Sequence, residues 1–284
     1  MEGKIITLCD NSAISVPNIK AEHGLSFYVE AKGLRFLFDT GQTDVAAHNA
    51  RILDIDLKGL PIILSHGHYD HTGGLDSILN LTGRTEIYCH HDTFSSRFKL
   101  KDDTLKPIGM PWSREYLENK GVIFHTNTAW EEIFDGIWLT GEIPRIVDFE
   151  LPQESFVVAS SIHGKRVHPD RGIRLDPLLD DQALAIETKM GLIVILGCAH
   201  SGLINTLQHV KKMSGIDEIF ALVGGTHLVS YGKDRLNSTI KALKQFDIKL
   251  LSPCHCTGSS GISALFYEFG DHLVFNGSGM SIEI

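Results

Sequence analysis

The sequence predicts an α/β protein in which two mixed β-sheets pack face to face and are flanked by helices, an αββα sandwich. Three observations carry this. Strand-like and helix-like segments alternate along most of the chain, an antiparallel hairpin opens each half, and four strands end abruptly at short polar motifs. With 43% hydrophobic and 21% charged residues, the 284-residue chain can bury a large core, and one domain over residues 1–284 is expected.

The elements read in order as follows. Leu25–Glu30 and Leu34–Phe38 are strands joined by the turn Ala31-Lys32-Gly33, and the second runs straight into Asp39-Thr40-Gly41. A helix is expected over Asp44–Leu53, then a short buried strand over Leu60–Leu64. That strand ends at Ser65-His66-Gly67-His68-Tyr69-Asp70-His71, with a helix beginning behind it over Thr72–Leu79. Glu86–Cys89 reads as a strand. Residues 92–120, with Pro107, Gly109 and Pro111, read as loop, a lid or a wall. Gly136–Thr140 is a strand. Residues 148–177 are polar and proline-punctuated, as substrate loops often are. The second half opens with Ala183–Glu187 and Leu192–Leu196 paired around Thr188–Gly191, followed by a helix over Leu203–Met213. Strand Ile219–Val223, a helix over Leu236–Phe246 and strand Leu250–Pro253 complete the pattern.

The net charge of −9 and the lack of a long Lys/Arg run argue against a nucleic-acid partner, because gripping phosphates needs clustered cations. No apolar run reaches the ~18 residues of a membrane span, and the N-terminal residues do not read as a signal peptide. Five scattered cysteines argue against a disulfide framework. A cytoplasmic setting is therefore expected.

The chemistry concentrates in residues 65–71. In an extended chain leaving a strand, residues two apart point the same way, so His66 and His68 can share one metal. Asp70 and His71 follow where the chain turns into a helix and can reach a second. Imidazole nitrogen and carboxylate oxygen suit zinc at ~2.0–2.2 Å. Gly67 allows the backbone to come close. Three histidines and an aspartate within six residues set aside the reading of a histidine-bearing surface loop.

His-x-His-x-Asp-His after an apolar strand, preceded by Phe38-Asp39-Thr40-Gly41, resembles the metallo-β-lactamase superfamily. The ordered set Glu22-His23-Gly24, Thr140-Gly141-Glu142-Ile143-Pro144-Arg145, Asp180-Asp181-Gln182, Gly197-Cys198-Ala199-His200, Gly224-Gly225-Thr226-His227 and Pro253-Cys254-His255-Cys256 spans nearly the whole chain. It is similar to the subfamily named for 7,8-dihydropterin-6-methyl-4-(β-D-ribofuranosyl)aminobenzene 5′-phosphate synthase. The resemblance implies the αββα fold and a dinuclear centre. It also implies that Asp39 is a carboxylate that orients the metal loop without binding metal. Two divalent ions are expected, zinc first, with manganese and iron as alternatives.

Two metals need further ligands. His200 is expected to join His66 and His68, and His255 to join Asp70 and His71, since both follow strand ends. Many superfamily members carry a bridging Asp in the style of Gly197-Cys198; here Cys198 reads as a buried structural thiol, with thiolate ligation the alternative. Asp181 and Glu142 are weaker candidates for a bridge. Cys254 and Cys256 lack the second cysteine pair of a zinc finger. His227 and His23 are expected to line the pocket, and Arg145 to pair with a substrate phosphate or carboxylate.

A metal lowers the pKa of its bound water toward ~7. The leading expectation is thus hydrolysis of an ester, amide or phosphoester bond through a metal-bound hydroxide, with Asp70 a catalytic residue. The alternative is a transferase that condenses a dihydropterin methyl diphosphate with an aminobenzene ribofuranosyl phosphate, releasing diphosphate. The partner is a small molecule, phosphorylated or pterin-like. A di-iron redox protein is disfavoured by His68, where flavodiiron relatives of this fold place a carboxylate. Retention of the whole His66–His71 cluster argues against a non-catalytic metal-binding module.

Overall fold

The structure is a computed structural model describing residues 3–102, 104–159, 172–230 and 232–284. Two large sheets form its centre. The first has seven strands, in the spatial order Ser281–Glu283, Lys4–Cys9, Ser26–Ala31, Leu34–Phe38, Ile62–Ile63, Thr85–His90 and Val122–Asn127. The second has six, in the order Leu250–Cys254, Ile219–Gly225, Gly191–Leu196, Ala183–Thr188, Ile137–Leu139 and Glu131–Phe134.

The αββα expectation is met, and the period-2 geometry of strands shows why. In Leu34–Phe38, Phe36 and Phe38 face the core between the sheets while Leu37 faces the outer core under the helices. Ile193 and Ile195 likewise point inward, and Leu192, Val194 and Leu196 point toward the opposite helices. Strands buried on both faces read as unbroken apolar runs rather than alternating ones. Helices Val45–Ile52, Leu75–Thr82 and Arg114–Asn119 lie on the first sheet, and Leu203–Ser214, Lys233–Leu243 and Gly258–Phe269 on the second.

Four differences from the sequence reading stand out. Residues 97–107 form a hairpin, Arg97–Lys101 with Thr104–Pro107, instead of an irregular wall. With Phe156–Ala159 and Ile173–Leu175 they make a third sheet of four strands. Residues 160–171 of the expected substrate loop lie outside the described residues. Helix Gly258–Phe269 was not anticipated, because Gly-Ser-Ser-Gly is a poor helix start by propensity. The helix expected behind the histidine cluster is two, Tyr69–Thr72 and Leu75–Thr82, broken at Gly73-Gly74.

Strand direction positions the site. Leu34–Phe38 runs parallel to Ile62–Ile63, and Gly191–Leu196, Ile219–Gly225 and Leu250–Cys254 are mutually parallel. Their C-terminal ends deliver Asp39, Ser65–His71, Cys198–His200, His227 and His255 to one edge of the sandwich.

Candidate metal centre

The candidate ligands sit at or just beyond strand ends that break sharply. Asp39, Ala199, His227 and His255 all have positive φ, between 50° and 58°. Left-handed backbone at a non-glycine residue costs about 1–3 kcal/mol and tends to gather at functional sites. Here it turns the chain away within one to three residues of each strand end. Close packing behind the loop needs glycine at two places. A Cβ on Gly67 would sit 2.0 Å from the Thr93 carbonyl, and one on Gly197 2.1 Å from Ser65 Oγ.

His66, His68, Asp70, His71, His200 and His255 are all buried, and they converge. His66, His68 and His200 bring one nitrogen each within 4.8 Å of one another. His255 Nε2 lies 3.4 Å and His71 Nε2 3.9 Å from Asp70 Oδ2. Cys198 stands between the groups. Its Sγ is 3.2 Å from His71 Nε2, and it falls within 4.8 Å clusters with His66 and His71, with His200 and His227, and with His255 and Cys256. Neither carboxylate considered as a bridge joins the cluster among the described residues. Asp181 accepts the Ser201 amide at 2.8 Å, and Glu142 approaches His90 at 3.7 Å.

The residues around the ligands orient them. Asp39 accepts hydrogen bonds from the Ser65 amide (2.8 Å), the Ser65 hydroxyl (2.7 Å) and His71 Nδ1 (2.6 Å), so His71 presents Nε2 to the cluster. Asn11 Oδ1 lies 2.8 Å from His255 Nδ1 and fixes that ring in the same way, while Asp10 accepts the His255 amide at 2.7 Å. Behind the His66–His68 loop, buried Arg97 pairs with Asp176 at 2.9 Å and Asp180 at 2.8 Å, and Asp180 accepts the Gly67 amide at 2.7 Å. Sequence reading missed Asp10, Asn11 and Arg97, and quoted Asp180 in a motif without giving it a role. None sits in a dense motif with the histidines, so their role follows from tertiary contacts alone.

The electrostatics suit a cation. Burial holds the His66 and His200 imidazoles well below their ordinary pKa and pushes His68 down to about 3, leaving neutral nitrogen donors. At His71 burial also acts downward, but the Asp39 and Asp70 carboxylates outweigh it and raise the group to about 9. Burial would raise Asp70; His71, His23 and His255 overcome this and hold it well below the carboxylate range.

The remaining expectations divide. His23 Nε2 lies 3.2 Å from Asp70 Oδ2, with its ring stacked on His255. His227 lies beside His200, ring centroids 4.3 Å apart, and its Nε2 is 3.3 Å from Gln153. Both line a cavity of about 380 Å³ over the cluster. Arg145 is not part of that lining. Its guanidinium fork donates to the carbonyls of His200 (2.8 Å) and Pro177 (2.9 Å), so it pins the His200 loop instead of facing a substrate anion.

The model of the metallo-beta-lactamase superfamily matches residues 19–277, which take in the second sheet, all but two outer strands of the first, and every residue of the cluster. The chain belongs to the metallo-beta-lactamase superfamily. Its relatives within that superfamily include the 7,8-dihydropterin-6-methyl-4-(β-D-ribofuranosyl)-aminobenzene-5′-phosphate synthase of Methanocaldococcus jannaschii. The two are 32% identical over 274 residues, 94% of this chain and 91% of the relative. Among solved structures, Tm1679, a metal-dependent hydrolase of the β-lactamase superfamily, superposes with a TM-score of 0.83 at 29% identity over 100% of this chain and 99% of that one. Zn²⁺-bound PqqB from Methylobacterium extorquens shares the fold, with a TM-score of 0.53 at 12% identity over 99% of this chain and 100% of that one. The names of the synthase and of the metal-dependent hydrolase suggest an enzyme.

Proposed function

We propose that this chain is a dinuclear metal-dependent enzyme that hydrolyses an ester, amide or phosphoester bond of a small molecule. The observation that carries the reading is a set of buried imidazole nitrogens with no hydrogen-bond partner, Nε2 of His68, His200 and His255, all at one cluster. Unpaired buried polar atoms are expensive, and these nitrogens, His68 and His200 in one cluster and His255 Nε2 at 3.4 Å from the Asp70 carboxylate, fit divalent ions as partners. His66, His68 and His200 would hold one ion, and Asp70, His71 and His255 the other, with Cys198 Sγ within reach of both. Zinc suits this nitrogen, oxygen and sulfur donor set, ahead of manganese or iron.

When bound, the ions supply an activated water and polarise the scissile group. The protein's own residues do the rest. Asp39 and Asn11 hold His71 and His255 in one tautomer and orientation. Asp70 keeps its negative charge at neutral pH and can accept a hydrogen bond from the nucleophile. His23, 53% exposed and bonded to Asp70, is the group placed to carry a proton between the cavity and solvent. The pocket walls, Tyr69, Ile108 and Phe156, exclude water from one side.

A second reading, transfer of a dihydropterin methyl group from its diphosphate to an aminobenzene amine, is favoured by the synthase relative. Release of diphosphate on mixing the two substrates distinguishes it from hydrolysis, which needs no amine acceptor. The first test is elemental analysis of wild type, His66→Ala and His255→Ala. Roughly two ions per wild-type chain, with partial loss in each variant, is the expected outcome. A wild type that takes up no metal even after reconstitution overturns the reading.

A further inference from the structure

The third sheet presents a charged row to the cavity. Phe156, Lys99 and Lys106 are direct cross-strand partners on three adjacent strands, so their side chains share one face. The cavity that opens onto His68, Asp70, His200 and His255 is lined by all three. Lys99 Nζ lies 5.8 Å from the Phe156 ring centroid and Lys106 Nζ 5.8 Å from that of Tyr69. Among the described residues neither lysine makes an ion pair. Like charges directly opposite one another on a sheet are destabilising, and this pair stands unneutralised on a chain of net charge −9. The hairpin carrying it is tied to the metal loop, since the Tyr69 amide donates to Ile108 O at 3.0 Å and His68 bridges Gly109. The distance between rim and cluster is thereby set by backbone.

From this arrangement we infer that Lys99 and Lys106 bind a phosphoryl group that the substrate carries outside the bond that reacts, with the Tyr69 and Phe156 rings against the body between. The inference deepens the proposed function and rests on it for the reacting end. Ammonium groups act as point charges toward phosphate oxygens without demanding a fixed fork. They take over the anion-binding role that the sequence alone suggests for Arg145.

The probes for the test are phenyl phosphate and 1,4-phenylene bisphosphate, titrated calorimetrically into wild type and the Lys99→Met/Lys106→Met double variant. Methionine keeps an apolar stem over the rings while removing the charge. Both proteins are studied metal-loaded and chelator-treated, with metal content measured on the same samples. In wild type the bisphosphate is expected to bind at least about tenfold tighter than the monophosphate at low salt, with the advantage shrinking as salt rises. In the metal-loaded double variant that advantage falls below about threefold while metal content stays within about twofold, and in the chelator-treated double variant phenyl phosphate binding falls at least about tenfold below wild type. A bisphosphate advantage that survives the substitution, or none in wild type, overturns the inference. The chelator-treated arm reads the lysines independently of the metals, and the metal analysis separately reports failure of the dinuclear reading.

Discussion

At the scale of single residues, Cys198 changes meaning between sequence and structure. As a lone cysteine after a strand it reads as a structural thiol; in the fold its sulfur falls within 4.8 Å groups with His66 and His71, with His200, and with His255. Burial raises the free thiol's pKa, so thiolate character there requires a cation. Cobalt-loaded protein is therefore expected to show a sulfur-to-metal charge-transfer band that Cys198→Ser abolishes, with the visible d–d bands of the nitrogen ligands remaining. An identical near-ultraviolet spectrum in the variant would return Cys198 to a packing role. The histidines differ in kind. His66, His68, Asp70 and His71 were legible because one short segment holds them, and backbone periodicity alone brings them together. Asn11 and Asp10 lie more than 240 residues from the His255 they orient, and no local pattern marks them.

At the scale of elements, the hairpin Arg97–Pro107 links the core to the site. Its first residue, Arg97, is buried against Asp176 and Asp180, and Asp180 in turn holds the Gly67 amide. Removing one partner of a buried ionic group leaves the others uncompensated, which typically costs about 3–5 kcal/mol. Arg97→Met is expected to lower unfolding stability by that order, measured by urea denaturation, and to loosen metal binding because the His66–His68 loop loses its support. A loss under about 1 kcal/mol would show that water replaces the pairing. In the hairpin Phe98, Leu100 and Leu105 are interleaved with Arg97, Lys99, Lys101 and Lys106. That alternation is a strand signal, but Pro107, Gly109 and Pro111 close behind it make residues 92–120 read as loop. The strands of the two large sheets were plain by contrast, since runs such as Leu192–Leu196 have no polar residue to confuse the period.

At the scale of the whole molecule, two sheets carry opposite halves of one centre. The first delivers Asp39 and His66–His71, the second Cys198, His200, His227 and His255. A ligand bound only by the folded state stabilises it by mass action, ~4 kcal/mol at a thousandfold excess over Kd. Metal that bridges the sheets should therefore raise the melting temperature, and chelation should lower it by several degrees, with recovery on adding zinc. An unchanged melting temperature after verified metal removal would contradict a centre shared between the sheets. Among the described residues no helix is long and apolar enough to cross a membrane.

The sequence by itself determined the αββα architecture and singled out the segment His66–His71 that is proposed to bind metal. Both rest on short-range regularities: short apolar strand runs, helical segments alternating with them, and three histidines and an aspartate within six residues. Only the tertiary structure decided that Cys198 lies between the ligand groups, that Arg145 faces backbone carbonyls, and that Lys99 and Lys106 stand side by side over the cavity. Each of these depends on strand register and on which distant loops meet at a sheet edge. A shift of one residue in register turns every side chain to the other face, and that choice is made by packing across the whole fold.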